Sequence, residues 1–117
     1  KVILIDRFSD STIAYQHYGL GVKLPIIKKI NEYLLKDFKV DFTFLNTVNH
    51  KNMKNRLKKR KKLNRYDKFD KNFYKRVQKG FIHLANKKRN FYKVIDSNLD
   101  IDINKKIILK KIDHIFK

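Results

Sequence analysis

The sequence predicts an α/β fold with a parallel sheet, on the basis of two observations. First, three short segments rich in β-branched and aromatic residues lie at positions 2–5, 42–45 and 91–95, as expected of strands. Second, segments with apolar residues at steps of three and four lie between and after them. Strands that alternate with helices favour a parallel sheet covered by helices. The length of 117 residues allows one such domain at most.

The first predicted strand leads directly to a candidate site. Residues 2–5 form a continuous apolar run, which is typical of a strand buried on both faces of a parallel sheet. The run ends at Asp6 and Arg7, and open α/β sheets bind their ligands beyond the carboxyl ends of their strands. A carboxylate there suits a metal ion or its waters. A guanidinium suits a phosphate, which it can bind through two parallel hydrogen bonds.

The next segment predicts a polar helix start and then a second helix. Residues 8–12 include small polar side chains that can cap a helix and hydrogen-bond a ligand, and residues 13–16 continue as a helical turn. Two glycines soon afterwards predict a loop or a helix end. Pro25 then suits the first turn of a helix over residues 25–38, whose apolar face we expect against the sheet.

The chain after residue 38 predicts two strands, at residues 42–45 and 91–95, and three helical or basic segments. Residues 51–65 contain six lysines, three arginines and no acid, which predicts a charged helix or a mobile arm. Helical spacing predicts a helix over residues 68–87, and the last helix should begin at about Asn104. The side chains predicted to face the core are Phe69, Phe73, Phe81, Ile108, Ile112, Ile115 and Phe116.

Composition excludes several classes of site. The sequence has no cysteine, which excludes disulfides, thiolate zinc sites and cysteine nucleophiles. Its four histidines are scattered without ligand spacing, so we assign no metal site to them. No apolar run approaches the length of a membrane span, and the first residues lack the order of a signal peptide. We therefore expect a soluble, cytoplasmic protein without a membrane partner.

The segment after the first strand carries a resemblance to a known family. Residues 6–16 read Asp-Arg-Phe-Ser-Asp-Ser-Thr-Ile-Ala-Tyr-Gln and resemble the DR(Y/F/H)…S(S/T)xAYQ segment of bacterial thymidylate kinases. Those enzymes are P-loop kinases that move the γ-phosphoryl group of ATP onto dTMP. The resemblance implies a P-loop kinase-like three-layer α/β fold with a parallel sheet. It also implies dTMP and ATP with Mg²⁺ as ligands, and a homodimer as the intact protein.

The resemblance implies a role for each residue of this motif. Arg7 would hold the dTMP phosphate, and Asp6 would lie near Mg²⁺ or the transferring phosphate, so both are catalytic candidates. Thr12 and Gln16 would lie along the base and sugar of dTMP. Tyr15 would pack beside the deoxyribose C2′ and leave no room for a hydroxyl. Together with Arg7, these three are the expected substrate-binding residues.

The basic segment is similar to the lid of those thymidylate kinases that carry catalytic arginines there. The resemblance implies a lid over about residues 51–66 that contains Arg56, Lys58, Arg60 and Arg65. Arg60 and Arg65 are the candidates to reach the ATP phosphates. Phosphoryl transfer spreads negative charge over the migrating group, and a closing cationic segment stabilises that charge while it excludes water.

One departure lies within the lid, and two further motifs follow it. Asn64 stands where the family has an acid, which should weaken the salt bridge that orients Arg65. Residues 73–81 resemble the family's F-x-x-R-V-x-x-G-Y helix, and residues 94–96 resemble its V-I-D strand. The resemblance therefore covers nearly the whole chain in the right order.

A phosphate-binding loop of the form G-x-x-x-x-G-K-[ST] does not occur in these residues, although a kinase of this class needs one. We therefore expect residues 1–117 to be the C-terminal portion of a single nucleoside monophosphate kinase domain in a longer protein. The parent would phosphorylate dTMP to dTDP for dTTP biosynthesis. This portion alone would be inactive.

Two alternatives compete with this interpretation. The formal net charge of +19 is typical of a small nucleic-acid-binding module. That function leaves residues 6–16 unexplained, and part of the charge reflects a composition rich in Lys, Asn and Ile, so we do not expect nucleic acid as a partner. A related deoxynucleotide kinase with another base preference would share the fold and the lid. Taken alone, an Asp-Arg pair is as often a structural ion pair, and a basic run is usually a solvated face.

Overall fold

The computed structural model describes residues 1–117 except for the side chain of Tyr66. In chain order, its elements are α1 (Ser9–Thr12), a π-helix (Ile13–Gly19), α2 (Leu24–Leu35), β1 (Thr43–Thr47), α3 (His50–Lys58), a 3₁₀ turn (Tyr66–Lys68), α4 (Lys71–Lys87), a second 3₁₀ turn (Arg89–Phe91), β2 (Tyr92–Asp96) and α5 (Ile101–Ile115). In the part of the chain that the structure describes, no helix is long and apolar enough to cross a bilayer.

The sheet confirms the predicted parallel pairing. β1 and β2 run side by side in the same direction, with Thr43 opposite Tyr92 and Thr47 opposite Asp96. Parallel neighbours require a crossover connection, which α3, the basic segment and α4 supply here. Both strands overlap the segments predicted as the second and third strands. The α/β prediction is therefore confirmed for this part of the chain.

Residues 2–5 correct the prediction of a buried first strand. They form no strand or helix, and they are between 48% and 90% exposed. An apolar strand is buried on both faces only when other strands pair with it and helices cover it. Among the described residues, the sheet consists of β1 and β2, and neither pairs with this segment. Asp6 and Arg7 therefore follow an exposed segment.

Helix α2 also differs from its prediction. Pro25 lies in its first turn as predicted, but the helix ends at Leu35, earlier than expected. The next residue, Lys36, has a positive φ of 46°, which a right-handed helix cannot continue. The helix packs mainly against the π-helix rather than against the sheet, and Ile27 is its buried side chain. Four of its large apolar side chains are more than half exposed: Ile26, Ile30, Tyr33 and Leu34.

Aspartate caps determine where the two long C-terminal helices begin. α4 begins after Asp70, whose carboxylate accepts a hydrogen bond from the Phe73 N–H at 2.8 Å. α5 begins after Asp100, whose carboxylate accepts one from the Asp102 N–H at 2.8 Å, so this helix starts before its predicted position. Such caps satisfy N–H groups that lack a partner within the first helical turn.

The core lies between the π-helix and α4. Ala14, Phe73 and Val77 are buried there, and Phe69 stacks on Phe73 with ring centroids 4.2 Å apart. Phe81 packs against the same cluster. The predicted core role of Phe73 is thus confirmed, with the other two phenylalanines half-buried beside it.

The end of α5 contradicts its prediction. Phe116 is 64% exposed and Ile115 is 36% exposed, because no described element covers the last turn. Ile112 and Ile108, one and two turns earlier, are half-buried. Helical spacing identified the apolar side of α5, but it did not show how much of that side other parts of the protein bury.

Candidate functional site

A cleft of about 170 Å³ lies beside α1 and the π-helix. Its walls are formed by Arg7, Ser11, Thr12, Tyr15 and Gln16. The structure thus brings together the four predicted substrate-binding residues and adds a serine. A cation, two hydroxyls, an amide and an aromatic ring in one cleft suit an anionic ligand that also carries a polar ring.

The backbone at the cleft is a π-helix that continues α1. Thr12 has helical dihedral angles (φ −60°, ψ −45°), so α1 passes into the π-helix without a break. At its end, the Leu20 N–H donates to the carbonyl of Tyr15, five residues earlier, at 3.0 Å. Thr12, Tyr15 and Gln16 line the same cleft from this continuous helix. π-Helices are rare and are frequent at functional sites.

Two glycines let the π-helix approach α4 closely. A Cβ atom on Gly19 would lie 2.6 Å from Cε2 of Phe73, and one on Gly80 would lie 2.6 Å from the ring of Tyr18. Non-bonded carbons do not approach so closely, so a side chain at either position would push the two elements apart. In the sequence, Gly80 stood out only as the glycine of the F-x-x-R-V-x-x-G-Y motif, and this packing role was missed.

Arg76, on α4, hydrogen-bonds to the end of the π-helix. Its Nη2 and Nε donate to the carbonyl of Gly19 at 3.0 and 3.3 Å, and its Cζ lies 6.0 Å from the ring centroid of Phe73. Carbonyl groups at a helix end lack a partner within the helix and carry partial negative charge, so a guanidinium there satisfies both needs. The base of the cleft is therefore fixed to the core.

Arg7 reaches the cleft through an unusual backbone conformation. Its φ is 62°, in the left-handed region that non-glycine residues seldom adopt. Its Cζ lies 5.3 Å from the ring centroid of Tyr15, which is the geometry of a cation–π contact. Tyr15 in turn lies 6.1 Å, centroid to centroid, from both Phe73 and Phe81. The guanidinium is therefore held on a ring that the core supports.

Asp10 anchors α1 to the start of β2. The hydroxyl of Tyr92 donates to one of its carboxylate oxygens, and Nζ of Lys88 lies 3.9 Å from the other. A short helix such as α1 has little stability of its own, so this contact helps to hold the polar side of the cleft in place.

The predicted lid residues lie on α3 and in the segment that follows it. Arg56 donates from Nη2 to the carbonyl of Ser97 at 2.5 Å, at the carboxyl end of β2. Arg60 forms an ion pair with Asp67 at 2.8 Å. Lys58 and Arg65 are exposed, and Arg65 makes no ion pair with any side chain that the structure describes. All four lie outside the walls of the cleft.

A polar turn holds Arg60, a predicted lid residue. Oδ2 of Asp67 also accepts from the Asn64 N–H at 2.8 Å, and Oδ1 of Asn64 accepts from the Asp67 N–H at 3.0 Å. Burial raises the pKa of the nearby Tyr74 to about 12, and the negative charge of Asp67 adds to that shift. The acid of this turn therefore lies beside the core and beside a predicted lid arginine at the same time.

The sequence of this chain is similar to those of known proteins. The sequence profile described as thymidylate kinase matches residues 1–108. The chain belongs to the thymidylate kinase family. Thymidylate kinases from Wolbachia pipientis of Culex pipiens and from Trichodesmium erythraeum are each 38% identical to it, over 105 and 98 residues. The resemblance of residues 6–16 to this family is thus confirmed.

A solved thymidylate kinase shares the fold as well. The crystal structure of the enzyme from Ehrlichia chaffeensis matches 92% of this chain with a TM-score of 0.65 and 31% identity. The match covers 47% of that chain, and the two relatives above are covered over 49% and 43% of their length. The chain therefore spans about half the length of the thymidylate kinases it matches.

Asp6 is the residue that fits a metal ion carried by a phosphate ligand. It is exposed, and it directly precedes the cleft residue Arg7 in the chain. Mg²⁺ prefers oxygen ligands and usually binds to one or two carboxylates together with substrate phosphates. Over the described residues, no group of three or more His, Cys, Asp or Glu side chains could hold a metal by itself. The residues present fit a Mg²⁺ ion that arrives with a nucleotide.

Sequence reasoning missed the residues that support the site. Gly19, Arg76, Asp67 and Tyr74 carry no chemistry that stands out in a sequence. One signal was available, because Arg76 and Gly80 are four residues apart in the F-x-x-R-V-x-x-G pattern and so face the same side of α4. Asp67 had a weaker signal, since it stands three residues after Asn64, the spacing of a helix-capping pair.

Proposed function

We propose that these residues form the dTMP-binding part and the lid of an enzyme that transfers the γ-phosphoryl group of ATP to dTMP. The product is dTDP, a precursor of dTTP. The observation that supports this most is the cleft where Arg7, Thr12, Tyr15 and Gln16 meet. In this proposal, residues 1–117 are the C-terminal portion of one nucleoside monophosphate kinase domain, with a lid over about 51–66.

Arg7 binds the phosphate of dTMP in this proposal. Its Cζ lies 5.3 Å from the centroid of the Tyr15 ring, and this cation–π contact restrains the guanidinium at the cleft. A planar fork of N–H groups matches two phosphate oxygens, whereas an ammonium group offers a point charge without that geometry. The substrate phosphate therefore has a defined position as well as a counter-charge.

The remaining cleft residues recognise the nucleoside. Thr12 and Gln16 read the pyrimidine edge and the sugar by hydrogen bonds, and Ser11 adds a further hydroxyl. Tyr15 forms a wall that is supported from behind by Phe73 and Phe81. A rigid wall rejects an added 2′-hydroxyl by steric clash and by desolvation. This arrangement supports selection of a deoxyribonucleotide.

The transfer step relies on charge. Asp6 is the carboxylate that would hold the Mg²⁺ bound with ATP, and that ion would supply positive charge beside the phosphates. Arg60 and Arg65 bring positive charge to the migrating group when the lid closes, while Arg56 and Lys58 add to the same positive field. Charges arranged in advance where negative charge develops lower the barrier to transfer.

We further propose that the intact protein is a cytoplasmic homodimer. The exposed apolar side of α2 supports this, because contiguous exposed apolar surface marks protein–protein contacts. The lack of cysteine suits a reducing compartment. Sedimentation of the intact protein tests the oligomeric state, and a monomer at assay concentration would contradict the dimer.

A coupled kinase assay tests the proposed function. The intact protein, produced from the complete coding sequence, should form dTDP from dTMP, ATP and Mg²⁺. Residues 1–117 alone are the control and should form none, since they lack the phosphate-binding loop. Faster phosphorylation of another deoxynucleotide would favour the related kinase. Salt-dependent binding of DNA without any kinase activity would favour the nucleic-acid-binding module.

A further inference from the structure

We propose that Asp67 is a positioning residue that sets the direction of Arg60 in the lid. The inference rests on the proposed function, because Arg60 can act on a phosphate only if the protein is a kinase. The observation behind it is the contact between Nη1 of Arg60 and Oδ2 of Asp67 at 2.8 Å. Arg60 follows the end of α3, whereas Asp67 lies in the 3₁₀ turn before α4.

Asp67 is the fixed partner of this pair. Its side chain is 10% exposed, whereas that of Arg60 is 54% exposed. The reciprocal hydrogen bonds with Asn64 hold both the backbone and the carboxylate of Asp67 in place. A shielded carboxylate that accepts a backbone N–H has few orientations, while an exposed guanidinium on a long stem has many. The contact therefore restrains Arg60 more than it restrains Asp67.

The turn is also close to the wall of the cleft. Tyr74 on α4 packs against the core, with its ring centroid 5.5 Å from that of Phe73. Burial raises its pKa, and the negative charge of Asp67 adds to that shift. Asp67 therefore directs Arg60 from a point that is attached to the same core as the substrate cleft.

The ion pair orients the Arg60 side chain but contributes little to the stability of the fold. An exposed ion pair contributes only about 0–1 kcal/mol to stability, so the fold gains little from it. The contact uses one nitrogen of the guanidinium, and the other N–H groups of the fork point elsewhere and can meet a phosphate. The acid missing at position 64 was expected to weaken the orientation of Arg65. By this inference, the acid at position 67 orients Arg60 instead.

Asp67→Asn in the intact protein is the direct test. The amide keeps the shape and an acceptor for the Asn64 N–H but removes the charge that holds Arg60. We expect kcat to fall about tenfold, with an unchanged KM for dTMP, and Asp67→Glu to restore most of the loss. In an Arg60→Ala background, Asp67→Asn should cause no further loss. A further loss equal to that in the wild type would overturn the inference.

Asp70→Asn is the matched control. It removes the charge of another aspartate, which caps α4 but does not touch Arg60. Asparagine caps a helix about as well as aspartate, so the melting temperature should change little, and the effect on kcat should be the same with and without Arg60→Ala. A coupling with Arg60 as large as that of Asp67 would mean that both aspartates act through the fold, which would also overturn the inference.

Trypsin cleavage after Arg60 separates this inference from the proposed function. The protease must bind the arginine side chain, so the ion pair slows cleavage there. We expect faster cleavage, read by mass spectrometry without nucleotide, in Asp67→Asn than in the wild type or in Asp70→Asn. If the wild type fails to phosphorylate dTMP while this difference persists, the proposed function fails and the contact stands. Equal rates in all three proteins would overturn the contact.

Discussion

The cleft and the lid hold their arginines in different ways. In the cleft, Arg7 rests on Tyr15, which packs on Phe73 in the core, and the two glycines bring the π-helix against α4. In the lid, Arg60 is held by one ion pair and a polar turn, and it is largely exposed. One region is held by apolar packing, and the other by polar contacts at the surface.

This difference indicates what each region can do. Close-packed apolar contacts do not yield to small displacements, because moving them opens a gap that nothing fills. Exposed polar contacts exchange with water at little cost. The cleft therefore suits recognition by a site formed in advance, and the lid suits a part that closes over ATP. We expect changes in the cleft to alter binding and specificity, and changes in the lid to alter turnover.

The largest effect should come from removing a lid arginine. Arg60→Ala in the intact protein should lower kcat by about 100-fold with little change in the KM for dTMP, because its charge meets negative charge that develops late. Arg65→Ala should act in the same direction but less, since its side chain lacks the fixed partner that Arg60 has. Lys62→Ala, also exposed in this segment, is the control. A raised KM with unchanged kcat would make the segment a binding surface.

A change of the cleft arginine should alter binding instead. Arg7→Lys should lower kcat/KM for dTMP by about tenfold or more, because lysine keeps the charge but loses the planar fork and the stacking on Tyr15. Most of the loss should appear in KM. Arg89→Lys, at an exposed arginine outside the cleft and the lid, is the matched control and should leave the kinetics unchanged. Equal kinetics for the two variants would remove Arg7 from the phosphate site.

The preference for deoxyribose over ribose should depend on Tyr15, which forms the wall of the cleft. Tyr15→Ala should raise the relative use of UMP over dUMP by about tenfold, because the clash with the 2′-hydroxyl disappears. Preference among bases should stay the same. Tyr15→Phe keeps the ring and should keep the sugar preference, so it controls for loss of the wall alone. An unchanged ratio in the alanine variant would show that another residue excludes the hydroxyl.

The close approach of the π-helix to α4 should affect the free energy of unfolding when Gly80 is replaced. Gly80→Ala gains about 1 kcal/mol in helix propensity but introduces overpacking that costs about 1–3 kcal/mol. The clash includes Cβ of Tyr18 at 2.8 Å, which cannot swing away, so we expect a net loss of about 1 kcal/mol. Lys79→Ala, on the exposed side of α4, is the control. Urea unfolding of the intact protein measures both, and a stabilised Gly80→Ala would contradict the close approach.

Local patterns predicted most of the elements, and the family resemblance of one short motif identified the cleft residues. Helical spacing identified α4 and its buried Phe73, and one short motif contained Arg7, Thr12, Tyr15 and Gln16. Those residues lie within a few turns of each other in the chain. Their proximity in space therefore follows from local backbone geometry.

The parts that were not predicted depend on distant contacts or on backbone details. Arg76 meets Gly19 across 57 residues of sequence, which no local pattern reveals. The π-helix has no residue signature, because it differs from an α-helix only in its hydrogen-bond spacing. The apolarity of residues 2–5 is visible in the sequence, but burial depends on which neighbours pair with them.

The smallest expected effect concerns Tyr74, which lies between the two regions. Burial, and then the carboxylate of Asp67, raise its pKa from 10.0 to about 12. Between these two values, the unfolded chain has released the phenolic proton while the folded protein still holds it. Stability should therefore fall as pH rises from about 10 to about 12, and it should be fully present below that range. The fall should be small, because Tyr74 is partly exposed.

Many lysines also titrate at alkaline pH. Two variants separate the contribution of Tyr74 from theirs. Tyr74→Phe should reduce the fall in stability above pH 10, as measured by urea unfolding at several alkaline pH values, because it removes the titrating hydroxyl. Asp67→Asn should lower the pKa of Tyr74 only partway toward its usual value, because burial remains. The absorbance of tyrosinate, taken as a difference from Tyr74→Phe in each background, reports that pKa directly. If Asp67→Asn leaves it unchanged, the lid turn does not act on α4, and the cleft and the lid are electrostatically independent.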